Sequence, residues 1–270
     1  MTSMNPTDSI TISWLDTMQK IMKEGIEVSP RGKETLEIVQ HTIAFDARQP
    51  VLTVPSRKLS YQFMAAEAFW IMTGDNRVET IAPYNKHIAN FSDNGETFFG
   101  AYGPKILGQL NYVVNKLMED PDSRQAGLTI WRENPPITKD IPCTIAMFFN
   151  IRPVGSYNYV NCHVFMRSSD VWLGIPYDAF NFSMIIHMVC AILNGHSNLV
   201  VAPGSVYITA ASSHLYKENF EAISRVLVAG DWLDQPLTPD VLYQQLPILS
   251  NTIKNLRDSR PGDSIRWWEV

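Results

Sequence analysis

The chain has 270 residues, 45% of them hydrophobic and 11% aromatic, with 22 basic against 27 acidic side chains, a net charge of −5 and a pI near 5.7. That length and apolar content suffice for a sizeable core in one domain spanning 1–270. The acidic balance excludes a global attraction to nucleic acid or to an anionic membrane, so any phosphate must be recognised locally, which suits a nucleotide monomer better than a polymer.

Residues 1–8 are polar, after which Ile12, Leu15, Met18, Ile21 and Met22 recur at helical spacing and predict a helix over Ile10 to Lys23, stopped by Gly25. Ile26 to Asp46 alternates as strand, turn and strand around Ser29 to Lys33, which puts Arg31 on a turn where its side chain is free to reach a ligand. Val51 to Val54 is expected as a short strand. Arg57 to Thr73 is expected as a long apolar helix closed by Gly74, with Glu67 on a face shared with Phe63, Trp70 and Ile71. A carboxylate so placed is part-buried, and such groups are paired or shifted in pKa; the plain alternative is an exposed surface glutamate.

Asp75 to Gly103 is rich in Asn, Gly and aromatics and reads as a long functional loop. Ile106 to Met118 follows as a helix, Ala126 to Trp131, Thr144 to Ile151 and Tyr157 to Met166 as strands, and Tyr177 to Leu193 as a helix after the Gly174-Ile175-Pro176 turn. Leu199 to Ile208 is again β-like, a helix is expected from Ser213 to about Val228, and Trp232 to Val270 is mixed. Long helices alternating with strands make the class α+β, a mixed twisted sheet flanked by helices.

The cysteines, Cys143, Cys162 and Cys190, form no C-x-x-C pair, which points to a reducing compartment. There is no basic-then-apolar leader pattern, and the longest apolar run, Ser183 to Leu193, contains His187 and is too short to span a bilayer, so a soluble cytoplasmic protein is expected.

Cys143 follows Pro142, a rigid lead-in to a strand, and Arg124, Arg132 and Arg167 are candidates to lower its thiol pKa. A cysteine is more often a buried bystander, and Cys162 and Cys190 are read that way. Arg167-Ser168 offers a forked cation beside a hydroxyl, a natural phosphate clamp. Asp170 and Asp178, spaced around Gly174 among apolar neighbours, are costly to bury unless they bind something. His214 and Tyr216 suit hydrogen bonds to a sugar, although such a pair is more often structural. Cys162 and His163 would point to opposite faces of a strand, and neither a metal spacing nor a G-x-G-x-x-G or Walker A loop is present in the sequence.

Together these residues resemble the thymidylate synthase family, including its pyrimidine hydroxymethylase branch, from about Arg31 to Phe220. Glu-Ala-Phe-Trp-Ile-Met-Thr-Gly-Asp-Asn at 67–76 looks like the general-base helix, and Phe-Gly-Ala-Tyr-Gly at 99–103 is similar to the family's Gly-Pro-x-Tyr-Gly loop. Pro-Asp-Ser-Arg-Gln at 121–125 resembles the segment that lends arginines to the other subunit, and Ile-Pro-Cys at 141–143 the nucleophile segment. Four departures stand out: Gln125 for an arginine, Thr144 for a histidine, no tryptophans over 84–90, and Asp178 for the asparagine that reads the pyrimidine.

An amide both donates and accepts, whereas an ionised carboxylate only accepts, so Asp178 would favour the 4-amino group of cytosine over the O4 of uracil. The resemblance then implies a homodimeric deoxycytidylate hydroxymethyltransferase that uses 5,10-methylenetetrahydrofolate and no metal. In it Cys143 would add to C6 of the pyrimidine, Glu67 would manage protons through water, and Asp178 would hold the base. Arg31, Arg167, Ser168 and a partner subunit's Arg124 would hold the phosphate, and His214 and Tyr216 the sugar. Asp170, Gly174 and Tyr102 would contact the folate, and Trp267 to Val270 would form a lid. The alternatives are a reductive methyltransferase making 5-methyl-dCMP or dTMP, and an inactive nucleotide- or RNA-binding member.

Overall fold

The structure, a computed structural model, describes residues 9–232. Helix α1, Ile10–Glu24, buries Ile10, Trp14, Met18 and Ile21 along one stripe, and Gly25 ends it because a Cβ there would lie 2.5 Å from the Ile21 carbonyl. Strand β1, Ile26–Val28, turns through Pro30–Gly32 into β2, Thr35–Asp46. Helix α2, Tyr61–Met72, starts at Ser60, whose hydroxyl accepts the Phe63 N–H. Short α3, Val78–Ile81, precedes α4, Tyr102–Glu119. Next come β3, Gly127–Thr129, β4, Thr144–Val154, β5, Tyr157–Met166, and the two-residue β6, Ser169–Asp170. Helix α5, Ile175–His196, β7, Val201–Tyr216, and α6, Phe220–Ala229, complete the order.

The strands form one mixed sheet in the order β1-β2-β7-β5-β4-β3, with β6 alongside β7. Among the described strands only the β7 pairings with β5 and β6 are parallel, and α5 carries the chain across from β5 to β7 as a parallel pair requires. Residues alternate across the sheet: Phe149, Ile151, Val160, Cys162, Val164, Val206 and Ile208 lie on the face covered by helices, while Phe148, His163, Phe165 and Tyr207 lie on the other. Helix α5 is long and apolar enough to cross a membrane by length and composition, but most of it is buried inside the protein, as in a core helix.

Several expected boundaries move, each for a tertiary reason. Residues 51–54 form no strand; the Thr53 N–H bonds the Thr11 hydroxyl of α1 at 3.0 Å instead of a neighbouring strand. Helix α2 begins at Tyr61 rather than Arg57, since Lys58 sits in the left-handed region. The helix expected from Ser213 is still β7 as far as Tyr216, because β2 pairs with it up to Thr35 opposite Tyr216. Residues 1–8 and all of the expected C-terminal run except Trp232, including Trp267 to Val270, lie outside the described residues.

Candidate active site

The β4–β5 hairpin builds the segment that carries the candidate nucleophile, Cys143. Arg167, one residue past β5, donates from its guanidinium to the carbonyls of Ile141 and Pro142, both at 3.0 Å, and its N–H bonds the Cys143 carbonyl at 2.9 Å. Behind the cysteine, Thr144 donates its N–H and hydroxyl to the Tyr102 phenol oxygen at 3.3 and 3.0 Å. The threonine that departs from the family pattern therefore locks the start of α4 against Cys143.

Cys143 is half-buried and its thiol is pushed up, not down: burial leads, Asp178 and Asp170 add to it, and Arg167 and Arg31 oppose it. Arg167 is thus one of the expected cations on the thiol. Arg31, on the Pro30–Gly32 turn, is the other cation that reaches it, while Arg132 lies over the Phe99 ring.

Three carboxyl groups face this thiol's surroundings. Glu67 comes from α2 and receives the Asn181 amide at 2.8 Å; burial pushes its pKa up to about 7 although it keeps a path to solvent through the cleft. Asp178 lies in the first turn of α5, one helical turn before Asn181, and accepts no hydrogen bond from the described residues. Burial, with Glu67 and Asp170 nearby, raises its pKa to about 8. Protonated, that carboxyl can accept a cytosine 4-amino N–H and donate to N3, or serve uracil as an amide does; ionised, it only accepts and excludes O4. A Cβ on Gly174 would lie 3.0 Å from the Asp170 carbonyl and 3.2 Å from Asp178 Oδ2, which accounts for a glycine there.

Asp170 closes the turn between β6 and α5, its Oδ1 accepting the N–H groups of Trp172 and Leu173 at 2.9 and 2.8 Å. Ser168 Oγ stands 3.5 Å from His214 Nδ1, and the His214 ring meets Tyr216 edge-on at 5.1 Å. Both come from the end of strand β7, not from a helix start. Arg31 and Arg124 are exposed, and Arg124, before β3, makes no hydrogen bond or ion pair within the described residues.

A solvent-open cleft of about 600 Å³ joins Glu67, Tyr102, Asp178 and Asn181 to an apolar wall of Trp70, Ile88, Phe91 and Phe98. Such a wall beside polar groups fits a flat heterocycle. Asn181 and Asp140 escaped the sequence reading. The i, i+3 spacing of Asn181 from Asp178 on one helix was a legible signal for the first; the second lies in an irregular loop that offers none.

The sequence matches the thymidylate synthase family over residues 12–236, and the chain belongs to that family. Among its relatives are the deoxyuridylate hydroxymethyltransferase of Bacillus phage SP01, 30% identical over 234 residues, and the thymidylate synthase of Buchnera aphidicola subsp. Schizaphis graminum, 26% identical over 231. The two alignments cover 77% and 80% of this chain, 57% of the phage protein and 83% of the Buchnera one.

Proposed function

We propose that this chain, as one catalytic domain, transfers a one-carbon unit to C5 of dCMP and releases 5-hydroxymethyl-dCMP. Asp178 carries the reading: it accepts no hydrogen bond from the described residues, is in electrostatic contact with Cys143 and Glu67, and falls in a motif that resembles the family's with aspartate for asparagine. Cys143 Sγ adds to C6, and the C5=C6 electrons make C5 a nucleophile. Arg167 and Arg31 offset the thiolate charge that this step needs. 5,10-Methylenetetrahydrofolate supplies the one-carbon unit to C5 and, once C5 has lost its proton, leaves as tetrahydrofolate; water then adds to the exocyclic methylene and Cys143 is expelled, and the apolar wall with Asp170, Gly174 and Tyr102 would hold the folate. Glu67, with a pKa near 7 and a hydrogen-bonded Asn181, is poised to take and return protons through water.

The phosphate falls to Arg31, Arg167, Ser168 and a second subunit's Arg124, and the sugar to His214 and Tyr216. An exposed sheet face bearing Phe148 and Phe165, in edge contact at 6.3 Å, suits a homodimer that would bring that arginine in. A second reading, dUMP as the base, has a specific motive: a protonated Asp178 presents the same donor and acceptor as an amide.

The test is product mass after incubation with methylenetetrahydrofolate and either nucleotide, beside tritium release from 5-tritiated dCMP. The hydroxymethylated nucleotide is expected, and Cys143→Ala should abolish release. Product without tritium release, or release surviving in Cys143→Ala, sinks the proposal.

A further inference from the structure

His214 is 7% exposed, so its ring is directed by its neighbours rather than by solvent. The ring bonds the carbonyl of Ser212, two residues earlier on β7, and its Nδ1 stands 3.5 Å from Ser168 Oγ. Ser212 is held in turn from the next strand: its hydroxyl donates to Glu37 Oε2 at 2.5 Å. Glu37 and His214 are direct partners in the β2–β7 ladder, so their side chains leave the sheet side by side. A continuous chain of hydrogen bonds therefore runs from Glu37 through Ser212 to the imidazole.

Glu37 is committed to this chain. The nearby carboxylates Glu34 and Glu218 pair with Lys217 and Lys33, whereas Glu37 makes no ion pair among the described residues. On the other flank of β7, Asp170 is the β6 partner of His214, with its Oδ1 taken up by the Trp172 and Leu173 N–H groups. His214 thus lies between carboxylates from two flanking strands, with Tyr216 edge-on to it. Burial pushes its pKa down; Asp170, the Ser212 carbonyl and Glu37 oppose this, and Arg167 adds to it. A fixed partner on one imidazole nitrogen decides what the other nitrogen offers.

The geometry points to Glu37 as a positioning residue for the sugar contact: its carboxylate grips Ser212, Ser212 grips the His214 ring, and the ring is thereby held to meet the 3′-hydroxyl of the nucleotide. This rests on the reading above, in which His214 faces the sugar. Glu37 itself touches no substrate atom and acts only through β7.

Calorimetric titration of the full chain with dCMP and with its 2′,3′-dideoxy analogue tests it, beside proton NMR of the histidine rings, in which His214→Gln identifies the His214 signal. The wild type should prefer dCMP by about 10-fold, the scale of one net hydrogen bond. Glu37→Ala frees the ring and should bring that preference close to unity by weakening dCMP alone. Glu37→Gln keeps an acceptor for Ser212 and should retain most of the preference. Having lost the charge that favours the imidazolium, it should titrate His214 about 0.5 to 1 pH unit lower. An unmoved His214 midpoint in Glu37→Gln overturns the assignment, and that variant decides alone if Glu37→Ala does not fold. An unchanged preference in Glu37→Ala, or a parallel loss of both nucleotides, overturns it as well. A wild type that binds neither nucleotide fails one step earlier, at the proposed function itself.

Discussion

At the residue scale the proposed reaction turns on Asp178, whose charge state would set which pyrimidine edge it complements. Its pKa is raised to about 8, so it is protonated at neutral pH and loses its proton as pH rises through that value. The sign follows: protonated, it matches uracil as an amide does; ionised, it repels O4 and attracts a 4-amino group. The ratio of kcat/KM for dCMP over dUMP should therefore climb about 10- to 100-fold from pH 6 to pH 9.5, the range set by mispairing one buried polar group. Asp178→Asn should flatten that rise and favour dUMP throughout. A ratio independent of pH in the wild type would remove Asp178 from the base.

The same carboxyl acts on Cys143, whose thiol it pushes up alongside burial. In Asp178→Asn the thiol should ionise at lower pH, moving the midpoint of iodoacetamide alkylation towards neutrality. Removing a cation instead, Arg167→Gln, should move the midpoint the other way. Because Arg167 also holds the Ile141 and Pro142 carbonyls, the Arg167 variant should lose Cys143 positioning as well.

At the element scale the site depends on α1, which touches none of the proposed chemistry. Trp14 is fully buried, stacks on Trp172 at 5.7 Å and donates its indole N–H to the Val171 carbonyl. Trp172 in turn lies under the Arg57 guanidinium at 4.2 Å and is followed by the turn into α5. Helix α1 thus fixes the segment joining Asp170 to Asp178. Trp14→Phe keeps most of the packing and strands one buried carbonyl, which should cost about 1–3 kcal/mol of stability. Thermal melting reads the loss, and a raised KM for the nucleotide would accompany it.

Among whole-molecule features, the described residues leave one aromatic face of the sheet exposed, with Phe148 and Phe165 on it. If that face joins two copies, each site borrows Arg124 from its neighbour. Cys143→Ala and Arg124→Ala should then each be nearly inactive alone, and mixing them after gentle dissociation should restore activity, because one of the two hybrid sites is intact. Phe148→Glu should yield monomers by sedimentation and forfeit that complementation. Restoration that fails with verified hybrids would place Arg124 outside the site.

The sequence by itself determined the α+β class, the strands at 144–151 and 157–166, the first helix, although its buried stripe runs through Ile10, Trp14, Met18 and Ile21 rather than Ile12, Leu15 and Met22, and the order of the motif residues. Those follow from local periodicity, from turn residues and from side-chain chemistry that needs no partner to be read. Tertiary structure alone decided the rest. Pairing with β2 kept His214 and Tyr216 in a strand where local preference suggested a helix, since a ladder of backbone hydrogen bonds outweighs propensity. Enclosure raised the Cys143 thiol where nearby arginines suggested a lowered one, and protonated the Asp178 carboxyl that composition alone left ionised. Desolvation depends on which atoms close around a charge, and a linear string of residues does not contain that information.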